Sequence, residues 1–212
     1  MLILLNCAVF LLEIRLGPDA ENALMPFAMV PAQISHLGRL TSASGLAVLA
    51  TLVTSLFLHG GLLHIAGNML YLFILGPAVE QHLGHLRYLL FYLLAGIAAC
   101  LAMVAMGPQS AVPVIGASGA IAGVLGAYFV LYPRGRIMTI LPIFVIELVE
   151  IPAIFYLLAW FAVQLYAGIR AGAQGPLVGG VAWWAHVGGF LFGVAVAPLL
   201  APRRATRTSR RR

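Results

Sequence analysis

The chain has 212 residues, of which 62% are hydrophobic and 8% charged. Soluble domains carry about 25% charged residues, so the composition excludes an ordinary water-soluble domain and points to a polytopic membrane protein. All twelve basic residues are arginine, against six acidic residues, and six of the arginines fall in the last ten positions; beside an apolar span, such a tail marks the cytoplasmic side and calls for no nucleic-acid partner.

Crossing hydrocarbon takes about 20 apolar residues per helix. Six spans would therefore use most of the chain and leave only short loops. The expected organisation is one six-helix transmembrane domain over residues 1–202 and a cytoplasmic Arg-rich tail over 203–212. Cys7 and Cys100 lie in apolar runs with no disulfide or metal spacing and read as packing residues.

The first span runs from the N-terminus to about Leu16. It has no basic leader and no small-residue cleavage site, so it does not read as a removable signal peptide. Residues 17–58 mix Asp19, Glu21, Pro26, Pro31, His36 and Arg39 with apolar stretches. Such a connection is expected to lie at the interface, partly inserted. The second, third and fourth spans are expected over 61–80, 86–106 and 117–132. A fifth begins within 140–152, where Pro142, Glu147, Glu150 and Pro152 blur its start, and ends near Ile169; the sixth covers 182–201. Connections after the even-numbered spans carry Arg87, Arg134, Arg136 and the six-Arg tail, nine in all, against Arg15, Arg39 and Arg170 on the other side. The positive-inside rule then puts both termini in the cytoplasm.

Ionisable and polar groups inside lipid are costly unless satisfied, so each needs a reason. His64 and Asn68 are four apart near the start of span two, hence on one helix face. Ser118 opens span four, and His186 lies a few residues into span six. All three spans enter from the outer side, which sets the four side chains about one to two turns below the surface at 1.5 Å per residue. Taken alone, the run GASGAIAGVLG over 116–126 reads first as a helix-packing face. With the two histidines at the same depth it reads as chemistry. Ser118 would be the nucleophile and His186 the general base. His64 and Asn68 would donate to the oxyanion of a tetrahedral intermediate, joined by backbone N–H groups around Ser118 at Ala117 and Gly119. Gly116, Gly123, Gly189 and Gly193 would let the helix backbones approach closely enough for a Ser–His hydrogen bond.

No third, acidic member of such a set is evident. Glu80 reads as a helix-end structural bond, His82 and His85 as solvated, and His59 as a loop or interface residue beside the alternative that it touches the site. A metal site at His59, His64 and His186 is disfavoured because no HExxH occurs, and a paired-aspartate mechanism is excluded because Asp19 is the only Asp. No cofactor or metal is expected.

The segments FLHGGLLHIAGN (57–68), GPAVE (76–80), GASGAIAG (116–123) and AHVGGFLFG (185–193) resemble, in order and over about two-thirds of the chain, the rhomboid family of intramembrane serine proteases. The resemblance is to bacterial-type members. It implies an all-α polytopic fold, a six-transmembrane-helix bundle with a partly membrane-inserted first loop. It implies a Ser118–His186 dyad with His64 and Asn68 at the oxyanion site, and an active site facing the outer side of a bacterial inner (plasma) membrane. The implied partners are single-span transmembrane substrates and membrane lipid. Two positions depart from the pattern. Ala50 and Thr51 stand where many members carry Trp-Arg. Ala122 stands where some carry an aromatic residue that stacks on the histidine, leaving Trp183 or Trp184 as candidates to orient His186. A channel, small transporter or membrane-protein chaperone is a further reading; transporters usually show internal repeats and midplane helix breaks, whereas no repeat is seen here and the polar cluster is shallow rather than central. A catalytically silent relative that binds membrane helices is the alternative.

Overall fold

A computed structural model of the chain describes residues 1–39, 41–142, 146–172 and 181–200. Helix α1 spans Leu2–Leu16 and is followed by three shorter helices, α2 (Ala20–Leu24), α3 (Pro31–Ser35) and α4 (Ser42–Thr54). Then come α5 (Leu62–Leu83), α6 (His85–Met106) and α7 (Ser118–Leu131), a two-stranded hairpin of β1 (Arg136–Pro142) and β2 (Ile146–Pro152), and helices α8 (Ala153–Gly172) and α9 (Trp183–Leu200). The protein is a helical membrane bundle. Among the described residues, α5, α6, α8 and α9 are long and apolar enough to cross a bilayer, while α4 and α7 are apolar but shorter.

Helix α7 is the centre. Every residue from Gly119 to Ala127 is buried, because α5, α6, α8 and α9 surround it. The close approach has a visible cause on both sides of the α7–α9 contact. A Cβ at Gly189 would collide with the carbonyl oxygen of Gly119, and one at Gly193 with that of Gly123. On its other flank α7 meets α6, where Ala95 and Ala99 fill the space left by Gly123 and Gly119. With no hydrophobic driving force between helices in lipid, such backbone-to-backbone packing is what holds them. Larger side chains complete the core: Phe91 and Tyr92 of α6, Leu72 and Val79 of α5, Leu157 of α8 and Phe190 of α9 are all buried.

The connection between α1 and α5 is not loose. Met29 and Val114 exchange two backbone hydrogen bonds, of 3.2 and 2.7 Å, and the Ala32 N–H donates to Ser110 O at 3.0 Å. Thr54 Oγ1 donates to Phe27 O at 2.7 Å, closing the loop onto the end of α4. Met29, Leu52 and Leu56 then pack with Ala99 and Met103 of α6 in a second core cluster. These ties hold the first loop although Ala50 and Thr51 stand in place of Trp-Arg.

The start of the fifth span is corrected. Residues of the expected 140–152 start belong to the antiparallel hairpin, with Arg136 opposite Pro152 and Ile137 opposite Ile151, and α8 begins only at Ala153. The physical reason lies in the composition. Segments 136–142 and 146–152 are rich in Ile, Val and Thr, which favour strands. Pro142 and Pro152 lack the N–H that a helix interior needs. An ion pair of 3.0 Å from Arg136 Nε to Glu150 Oε2 staples the open end. At the C-terminal end of α5, Glu80 Oε1 accepts from His85 Nδ1 at 2.8 Å, the helix-end bond expected of Glu80. The arginines expected as a tail over 203–212 lie outside the described residues.

Candidate active site

Three helices begin at the same end of the bundle and together deliver four polar groups within their first two turns. Ser118 is the first residue of α7, His64 lies near the start of α5 with Asn68 one turn on, and His186 lies one turn into α9. His64, Asn68, Ser118 and His186 line one cavity of about 630 Å³, together with Ala122 and Trp160.

Ser118 Oγ and His186 Nε2 are 2.8 Å apart. The opposite ring nitrogen, His186 Nδ1, lies 2.7 Å from Oε1 of Gln164 on α8. Trp160, one turn before Gln164, sets its ring centroid 5.8 Å from that of His186 at 37°. Trp183 approaches edge-on at 6.4 Å. Of the candidates Trp183 and Trp184, Trp183 thus meets His186 edge-on, and the nearer aromatic flank is supplied by Trp160 of α8, while the methyl of Ala122 is buried at the cavity wall. Neither Gln164 nor Trp160 is among the residues singled out from the sequence. The signal for Gln164 was present: it is a glutamine inside an apolar helix, and a polar group there demands a partner.

The sequence GASG is explained residue by residue. Gly116 has φ +117, a conformation that L side chains rarely adopt, and a Cβ there would come within 2.7 Å of the His64 ring. Gly116 thus clears space for His64 and does not pack helices, unlike Gly123, Gly189 and Gly193. Its N–H donates to Ser55 O at 2.9 Å, which pins the segment leading into α7. Ala117 is the N-cap and is fully buried. Gly119 faces Ala99 and Ala185, so it contributes to packing through its missing side chain. The first N–H groups of any α-helix have no intrahelical acceptor, and those of Ala117, Ser118 and Gly119 stand in that position.

Asn68 is buried, and among the described residues its Nδ2 has no hydrogen-bond partner. A donor left unpaired at a cavity wall costs about 1–3 kcal/mol, which is tolerable where a bound group supplies the acceptor. His59, in the turn before α5, is also buried, and its ring lies 5.2 Å from that of His64. Its backbone N–H donates to Glu13 Oε1 at 3.1 Å. Burial, reinforced by the neighbouring His64, lowers the His59 imidazole to about 4. His59 therefore backs the site as a neutral ring.

The residue pattern has known counterparts. A family model described as the Rhomboid domain matches residues 47–203. Rhomboid protease GluP of Bacillus subtilis is 38% identical over 118 residues, a stretch that covers 56% of this chain and 21% of that protein. Rhomboid protease AarA of Providencia stuartii is 26% identical over 218 aligned positions, covering 96% of this chain and 73% of its own length. The chloroplastic rhomboid-like protein 11 of Arabidopsis thaliana is 34% identical over 160 residues, 70% of this chain and 51% of its own. The chain thus spans only about a fifth of the length of GluP. The matched region takes in α5 to α9, the helices that carry Ser118, His186, His64 and Asn68, and it shows that the chain belongs to the rhomboid family.

Proposed function

We propose that this protein is an intramembrane serine endopeptidase that hydrolyses peptide bonds in or near the transmembrane segments of single-span membrane proteins. One observation carries the reading: Ser118 Oγ lies 2.8 Å from His186 Nε2 at the wall of a cavity that also presents Asn68 and His64. The protease names of GluP and AarA support it.

The chemistry follows from the arrangement. Ser118 Oγ attacks the scissile carbonyl carbon while His186 Nε2 takes the hydroxyl proton. The carbonyl oxygen becomes an oxyanion, which accepts hydrogen bonds from Asn68 Nδ2, His64 and the N–H groups at the start of α7. The carbon–nitrogen bond breaks and the amine leaves with the proton from His186. Water then attacks the acyl-serine, giving its proton to His186, and the ester bond breaks to restore the Ser118 hydroxyl. Side chains, backbone and water suffice for each step.

Hydrolysis inside a bilayer needs water, and a shallow site open to the outer face resolves that conflict. In this reading residues 1–202 act as one domain, both termini are cytoplasmic, and the membrane is the bacterial inner membrane. The Arg-rich segment 203–212 then lies against anionic lipid of the inner leaflet.

The test is cleavage of a single-span reporter by purified protein in detergent, with Ser118→Ala and His186→Ala alongside. Both variants are expected to remain folded and to lose turnover. Near-normal cleavage by either overturns the dyad. A folded wild type that neither cleaves nor reacts with a serine-directed fluorophosphonate would instead be a catalytically silent protein that binds membrane helices.

A further inference from the structure

The helix that supplies neither member of the dyad makes the other contact to the base. Tyr156, Trp160 and Gln164 are spaced by four along α8 and so share one face of it. Tyr156 bonds Tyr71 of α5 at 2.7 Å, Trp160 flanks the imidazole of His186, and Gln164 reaches its Nδ1. Gln164 is buried, at 6% exposure.

We infer that Gln164 is a positioning residue that sets the tautomer of His186. The inference rests on the reading of Ser118 and His186 as nucleophile and base. A neutral imidazole has one N–H and one acceptor nitrogen, and only the form protonated on Nδ1 leaves Nε2 free to take the Ser118 proton. The amide oxygen Oε1 at 2.7 Å selects that form, since it can accept from Nδ1–H and cannot donate. The contact survives the reaction, because Nδ1 keeps its hydrogen when Nε2 gains one. A carboxylate would do the same, but at the cost of burying a charge in an apolar bundle. A neutral acceptor avoids that cost, which accounts for a site where, among the described residues, no carboxylate bonds the imidazole. Amide orientation matters equally: an amide turned end for end would donate to Nδ1, put the proton on Nε2 and silence the base.

A glutamine that merely satisfies a buried histidine would affect stability without affecting the tautomer. Two substitutions and two readouts separate these roles. Gln164→Met keeps the shape and removes the acceptor; Gln164→Glu keeps an acceptor oxygen at the same reach. The imidazole nitrogen shifts of protein labelled with 15N-histidine in micelles, assigned by difference from His186→Ala, report which nitrogen carries the proton. In the wild type the proton of His186 is expected on Nδ1, and in Gln164→Met it is expected to divide between the two nitrogens. Reporter kcat should fall by about tenfold to a hundredfold in Gln164→Met, part of the 10²–10⁴ that a positioned base contributes, with KM within about twofold. Fluorophosphonate labelling of Ser118 should slow by the same factor, and Gln164→Glu should restore most of it.

A wild-type His186 proton on Nε2 overturns the proposal without any variant. So does a folded Gln164→Met with wild-type kcat and labelling. A wild type that shows the Nδ1–H form yet neither cleaves nor labels counts against the dyad and not against Gln164, whose hydrogen bond the nitrogen shifts read independently.

Discussion

Gly193 of α9 lies against the carbonyl oxygen of Gly123 of α7 so closely that a Cβ at position 193 would collide with it. The contact sits two turns below the Ser118–His186 pair and fixes the distance between the helices that carry it. Backbone cannot yield as a flexible side chain does, so Gly193→Ala should force α7 and α9 apart. Overpacking of this kind costs about 1–3 kcal/mol. The expected outcome is a lower unfolding temperature in detergent together with loss of Ser118 labelling. Labelling at the wild-type rate would mean that the helix spacing does not govern the dyad.

Asn68 offers a cleaner separation of chemistry from fold. Its Nδ2 has no partner among the described residues, so Asn68→Ala breaks no hydrogen bond of that group in the resting protein. Removal of one oxyanion donor costs about 10²–10³ in kcat in a well-formed site. A drop of at least about tenfold is expected in reporter turnover, with the unfolding temperature nearly unchanged. Unchanged kcat would remove Asn68 from the oxyanion site.

The buried turn before α5 should make stability depend on pH. His59 is lowered to about 4 in the folded protein by burial first and His64 second, while an unfolded histidine titrates near 6.5. Below that value the unfolded chain binds a proton that folded His59 resists, so stability falls as pH drops from about 6.5 toward 4. Thermal unfolding between pH 8 and pH 5 should show this decline. His59→Asn should flatten it, whatever its effect at pH 8. Parallel slopes for the two proteins would contradict a buried neutral His59.

Tyr71 of α5 and Tyr156 of α8 share a hydrogen bond of 2.7 Å between their hydroxyls. Side-chain hydrogen bonds between membrane helices contribute about 0.6 kcal/mol on average in double-mutant cycles. A cycle of Tyr71→Phe and Tyr156→Phe, read by unfolding in mixed micelles, should give a coupling near that size. Additive effects would show that the two phenols do not depend on each other.

Much of this was legible in the residues. Long apolar runs bounded by Gly84, Gly107 and Pro133 bring the expected limits of the second, third, fourth and sixth spans close to α5, α6, α7 and α9. His64, Asn68, Ser118 and His186 line one cavity because α5, α7 and α9 begin at the same end of the bundle, which the alternation of apolar spans along the chain implies. The hairpin was hidden because its residues are apolar as well as β-branched, and an apolar stretch beside a span reads as more span. Gln164 was less legible because a neutral amide carries no charge to mark it, although its oxygen accepts from an imidazole equally well. Gly116 reads as one more small residue until its backbone angle and the ring opposite it are known.

Helix α7 has 14 residues. At 1.5 Å per residue it rises about 21 Å, some 9 Å short of a hydrocarbon core about 30 Å thick. Were its Tyr132 end level with one boundary, α7 would leave Ser118 short of the other, whereas its neighbours α5 and α6, at 22 residues each, do not share the deficit. The shortfall makes α7 a ruler. With the orientation of the proposed function, the layer over the serine would be the bilayer thickness less a constant, so a thicker membrane would bury the hydroxyl deeper and a thinner one lift it toward water. Under the proposed function, hydrophobic mismatch, a burden for most short spans, would set how far a peptide bond descends before it meets Ser118.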